Sequence, residues 1–171
     1  AVHSLAAWVS QTGAQKFFAW SDTAMWDISA KGAVSIPLLP GLTNDVWQSI
    51  NYNNAAGSHL VAVNGADDGI LYDGAGITRL VAGDGIVANT WSGLDPKDAI
   101  QLTAHQSRLW VTKKDDARGY YLPLDAYYGV FESFDFGPLF SAGGYIAFMT
   151  TWTIDDGNGA EDHLVIVSSA G

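Results

Sequence analysis

Short β-prone runs, each closed by a cluster of Gly, Asp or Asn, recur through this chain. The runs include Leu5–Val9, Lys16–Trp20, Met25–Ile28, Leu60–Val63, Ile70–Tyr72, Ile100–Thr103, Leu109–Thr112, Tyr145–Met149 and Leu164–Val167. Between them stand Gln11-Thr12-Gly13, Asn64-Gly65, Asp73-Gly74, Asp84-Gly85 and Asp156-Gly157-Asn158-Gly159. Gly and Asn tolerate the left-handed backbone of tight hairpins, so each cluster is a place to reverse direction. Helical periodicity is nearly absent. An all-β fold is the expectation.

The runs also stack on one another. Phe17–Trp20, Leu60–Val63, Leu109–Thr112 and Leu164–Val167 align as central strands, spaced roughly 40–55 residues apart, near the period of propeller blades. Each follows an earlier strand, and two are closely followed by another (Ala24–Ile28 and Gly69–Gly74). A degenerate repeat with three or four strands per unit predicts a β-propeller-like array of antiparallel blades. The alternative is a β-sandwich, whose strands recur at similar spacing. One β-repeat domain over 1–171 is expected, with approximate repeats 1–42, 43–94, 95–140 and 141–171 and an incomplete ring within the chain. Trp20, Val63, Trp110 and Val167, on the aligned strands, are the expected structural core.

Composition narrows the function classes. The chain is 48% hydrophobic and only 15% charged, which separates it from disordered chains. Its net charge of −10 disfavours phosphate backbones. Lys113-Lys114 is the one basic pair and reads as a solvated turn. With no cysteine there is neither a disulfide framework nor a thiolate metal site. No apolar stretch reaches the length of a membrane span. The opening Ala1-Val2-His3-Ser4 has neither an initiator Met nor a signal peptide, and the chain reads as part of a longer one.

Chemical candidates are few. Asp155, Asp156, Asn158, Glu161 and Asp162 crowd one loop and could supply oxygens to calcium, although the spacing is not that of an EF-hand. A hairpin kept soluble by charge explains the loop equally well. Thr153, Asp155 and Gly157 match half of an Asp-box turn, a folding device. Asn64–Gly69 reads as a solvated acidic bend. His59, His105 and His163 stand close to aligned strands, which suggests a repeated structural role; His3 is the fourth histidine. Tyr120-Tyr121 and Tyr127-Tyr128 could stack on sugar rings but suit core and rim positions better. No nucleophile elbow, phosphate-binding loop or zincin motif is present, and no catalytic residue or cofactor is expected.

The segment from Gly57-Ser58-His59-Leu60 to Leu71-Tyr72-Asp73-Gly74 resembles the blade motif of a phage structural family. His105–Val111, Phe134–Phe140, Trp152–Gly157 and Glu161–Ser169 resemble it too. The family is the propeller-bearing phage and prophage tail structural proteins, including the packaged-DNA stabilisation (tail-hub) proteins of short-tailed phages. The resemblance runs from about Lys16 onward. It implies a non-catalytic virion component, oligomeric in the assembled particle, whose partners are other tail or connector proteins. It implies assembly in the host cytoplasm, residence in the virion, and no catalytic residues. The competing expectation is a carbohydrate-binding or carbohydrate-active propeller.

Overall fold

Gln11-Thr12-Gly13, Asn64-Gly65 and Asp73-Gly74 each reverse the chain, and among the described residues the strands gather into four separate sheets. The computed structural model describes residues 1–155 and 160–171. The first sheet is an antiparallel meander of β1 (Val2–Val9), β2 (Gln15–Ser21), β3 (Ala24–Asp27) and β4 (Leu39–Pro40). The second begins with another, β5 (Gln48–Asn54), β6 (Gly57–Val63), β7 (Gly69–Tyr72) and β8 (Ile77–Ala82). It adds β9 (Thr90–Ser92), which runs parallel to β8. The third sheet starts with β10 (Ala99–His105), β11 (Arg108–Lys113) and β12 (Arg118–Tyr121). The chain then crosses back, so that β13 (Gly129–Val130) pairs parallel with β9 of the second sheet. It returns as β14 (Glu132–Asp135) to complete the third. The fourth sheet is one long hairpin, β15 (Ile146–Asp155) and β16 (Ala160–Ser168). Among the described residues, helix is confined to two three-residue 3₁₀ turns. The protein is all-β.

The crossing by β13 depends on glycine. Gly85 has φ +73°, and a Cβ there would lie 2.6 Å from the Gly129 carbonyl carbon. Any side chain would push the crossing strand away.

The sheets pack in chain order, first strand beside first strand: β1 against β5, β5 against β10, β10 against β15. Side chains alternate across a strand, so a middle sheet must serve two cores. Leu60 and Ala62 of β6 face the first sheet and meet Trp8, Phe18, Trp20 and Met25. Val61 and Val63 of the same strand face the third sheet and meet Leu102, Leu109 and Val111. That double burial explains why 60–63 reads as an unbroken apolar run instead of alternating.

The four expected core residues fare differently. Trp20 and Val63 are fully buried, but in different clusters. Trp110 is half-buried and Val167 is 45% exposed, so a single continuous core through all four does not form. The cause is the number of strands above them. Trp110 lies on the third sheet's face toward the fourth, where only two strands are available to cover it. Val167 lies on the fourth sheet's far face, and no described element packs there.

Candidate functional site

Consecutive sheets are joined by side-chain amides acting on backbone. The first strand of a sheet is an edge, and its outward N–H and C=O groups lack a ladder partner. Gln48 of β5 meets this need in β10: Leu102 N donates to its Oε1 at 2.7 Å, and its Nε2 donates to Leu102 O at 3.3 Å. Gln101 of β10 does the same in β15, where Met149 N donates to Oε1 at 3.0 Å and Nε2 donates to Met149 O at 2.8 Å. Asn51 reaches back to β1, taking Val9 N at 3.1 Å and giving to Ala7 O at 2.7 Å. A shorter side chain does part of this work in β1, where Ser4 Oγ accepts from Trp47 N at 2.8 Å. These clamps satisfy the edges without fusing the sheets into one. They were missed in the sequence because isolated Gln and Asn residues in a strand carry no spacing signal. β5, β10 and β15 border a groove of about 290 Å³ that runs past Ile50, Thr103 and Phe148.

Several acidic residues are spent on turns. Asp73 accepts from the backbone of Ala75 and Gly76, and Asp84 from that of Ile86 and Val87; these bonds hold both carboxyls below the usual range. The 64–69 segment is more than a solvated bend. Burial would raise the Asp67 carboxyl, yet bonds from Thr43 and Asn64 keep it low, and it pins the loop that enters the second sheet. Asp116 accepts from Arg118 N, Nε and Nη2 and from the Tyr120 hydroxyl. Burial opposes these bonds, but they bring its carboxyl down to about 2. Lys113 pairs with Asp98 at 2.9 Å.

The proposed calcium loop falls partly outside the described residues: Asp156 and Asn158 lie there, as does Gly157 of the half Asp-box. Glu161 and Asp162 are exposed on β16, and the Thr153 hydroxyl donates to Asp162 at 2.6 Å. Among the described residues no three metal-ligating side chains gather. The histidines do not share one role. His3 binds Asp45 at 2.8 Å, and His105 lies beside the Thr151 hydroxyl at 3.3 Å. His163 is exposed near Glu161. His59 is buried against Tyr127, with ring centroids 4.5 Å apart, and its Nδ1 has no partner. Their differing strands explain this: His59 lies within β6, His105 ends β10, and His163 lies within β16.

The tyrosine pairs separate likewise. Tyr120 is buried, and its neighbour Tyr121 lies tilted against Trp110 at 4.7 Å on the opposite face. Tyr127 and Tyr128 meet edge to face and line a cleft of about 400 Å³ with Asn54, Leu124 and Asp125. A larger cleft, about 530 Å³, lies under residues 29–36. Its Lys16 and Asp27 are already paired at 2.7 Å, which leaves little chemistry to offer.

Two apolar surfaces stand out against this. On the first sheet Leu5, Phe17 and Ile28 are exposed on the face turned away from the second. On the fourth, Phe148, Trp152, Ile154 and Val167 are exposed on the face turned away from the third. No helix among the described residues is long and apolar enough to cross a membrane. Compared with protein-family models, curated proteins and solved structures, the chain matches none.

Proposed function

We propose that this chain is a non-catalytic structural module of a phage or prophage tail or tail hub, and that its sheets are blades of an incomplete propeller. The observation that carries the reading is the repeated junction between sheets. Three times the chain sets first strand beside first strand, with a side-chain amide bonding a backbone N–H and C=O across each gap. In a propeller the innermost strands of successive blades line a central channel, and here the first strands of the second, third and fourth sheets border one groove. Polar side chains are spent on turns and clamps, and large apolar faces remain free, as suits a part that is assembled. The blade-like segments that resemble tail proteins supply the particular assembly, with other tail or connector proteins as partners and the virion as the location.

The test is incorporation. Phage particles banded on a density gradient should contain the chain at a fixed stoichiometry relative to the portal or tail proteins, read by quantitative mass spectrometry. Complete particles that lack it would overturn the reading.

A carbohydrate-binding role has one observation in its favour, the cleft flanked by Tyr127 and Tyr128. Against it, Asn54 is already committed: its amide donates to Asp125 O at 2.7 Å, and its Oδ1 accepts from Ala56 N and Gly57 N. A glycan array on which Tyr127→Ala abolishes a reproducible signal would favour this second reading.

A further inference from the structure

His59 stands at the head of a polar relay that ties the second sheet to the third. The residue is only 4% exposed, and its ring lies against that of Tyr127. Its Nε2 is 3.3 Å from Asn54 Oδ1. The Asn54 amide is fixed in orientation, because Nδ2 donates to Asp125 O at 2.7 Å while Oδ1 accepts from Ala56 N and Gly57 N. A carbonyl oxygen only accepts, so His59 Nε2 carries the proton and Nδ1 is left as a lone pair. Among the described residues nothing lies within hydrogen-bonding distance of Nδ1. Beyond Asn54 the relay continues into the third sheet: Asp125 N donates to Ser107 O at 2.7 Å, and the Tyr52 hydroxyl donates to the same carbonyl at 2.8 Å. Gln106 and Ser107, which turn β10 into β11, both sit at positive φ, +47° and +58°. Non-glycine residues hold that conformation where surrounding contacts impose it.

The segment that covers His59 is lightly held between two anchors. Leu122 is buried at one end, and at the other Trp91 Nε1 donates to Tyr127 O at 2.9 Å. Between them Pro123, Leu124 and Asp125 are exposed. We propose that residues 123–126 and the Tyr127 ring form an acid-released latch: protonation of His59 frees them from the β5–β6 hairpin, loosens the junction of the second and third sheets, and opens the cleft beside Tyr128. Acid places both an N–H and a positive charge at Nδ1, where no acceptor waits and burial excludes water. Asp73, on the turn after β7, attracts that charge, but burial is the larger effect and holds the imidazole below its ordinary value. Tyr127 and the cross-strand neighbour Tyr52 are both pushed up by burial and stay neutral here. Farther out, Asp125 and Arg108 act on Tyr52 with opposite signs. Lifting the segment wets His59 and removes the penalty. The closed latch is therefore fully favoured above the ordinary histidine value of about 6.5, and it loses that advantage as pH falls from there towards the folded value.

Hydrogen exchange followed by NMR reads the latch at the Asp125 amide. Its protection factor, which is already corrected for the intrinsic pH dependence of exchange, should fall about five- to tenfold between about pH 7.5 and pH 5.5. The opening is local, so exchange at Asp125 should be insensitive to low concentrations of urea at both pH values, whereas exchange at Val61 in β6 should accelerate with urea. His59→Phe keeps a ring against Tyr127 and takes up no proton, so there the Asp125 protection factor should not change with pH. That variant retains His105, which is also buried, and so separates the two histidines. A second measurement needs no variant: the His59 ring carbons of the unaltered chain should titrate below the ordinary histidine range, with the Tyr127 ring resonances shifting over the same interval. Protection at Asp125 that is constant with pH, or that falls equally in His59→Phe, overturns the latch. So does a His59 that titrates at or above its ordinary value. Exchange at Asp125 that follows the urea dependence of Val61 overturns it too, because acid then acts on the whole fold and not on this segment.

Discussion

At the scale of single residues, burial separates two tryptophans that look alike in sequence. Trp20 is fully buried and stacks on Trp47 at 5.8 Å, and its indole N–H has no partner, so its contribution is all packing. Trp20→Ala should cost about 3–5 kcal/mol, a large share of the roughly 5–15 kcal/mol that holds a domain together. Trp110 is half-buried, and Trp110→Ala should cost less than half as much. Urea midpoints of the two variants beside the parent check the order; a larger loss at Trp110 would contradict the packing described here. Asp116 supplies a prediction in pH. Its folded carboxyl is lowered from 3.8 to about 2, so the stabilisation it gives is present above the unfolded value and disappears as pH falls through the folded one. Asp116→Asn should therefore cost on the order of 1–2 kcal/mol at pH 7. The gap from the parent should close between about pH 4 and pH 2, as read from urea midpoints at each pH. A constant gap would mean that the loss is steric.

At the scale of elements, the amide clamps are the feature whose removal is most informative. Gln101→Leu keeps the bulk of the side chain but leaves Met149 N–H and C=O without that partner. Leaving a buried backbone group unsatisfied costs about 1–3 kcal/mol. The expected result is a loss in that range, together with faster hydrogen exchange at the Met149 amide and little change at Val61 in β6. Equal acceleration at both amides would mean that Gln101 supports the fold generally and does not act as a local clamp. The Thr103 hydroxyl also donates to Met149 O at 2.8 Å, so the carbonyl is protected better than the N–H, and the amide is the sensitive reporter.

At the scale of the whole molecule, stability should fall along the stack. The second sheet is covered on both faces, whereas the fourth is a hairpin covered on one. At concentrations where the chain is monomeric, amides of β15 and β16 should exchange ahead of those in β6 and β11. Uniform protection would point to one cooperative unit. The sequence by itself determined the class of fold, because Asn-Gly and Asp-Gly steps between short β-branched and aromatic runs leave few options beyond antiparallel hairpins. The two faces of a strand were less legible, because the run from Leu60 to Val63 is apolar throughout and buried on both sides. What the sequence did not reveal was how much lies above each face. Trp110 is left half-buried by the two-stranded fourth sheet and Val167 is exposed where no described element covers it, which depends on distant strands and not on their own neighbours in sequence. The clamps at Gln48, Asn51 and Gln101 were hidden for the same reason, since an amide in a strand becomes a clamp only when another edge is brought opposite it. Local turn chemistry is written in consecutive residues, but burial and sheet-to-sheet bonding arise from segments about 50 residues apart, as Gln48 and Leu102 are, and only the tertiary structure brings those together.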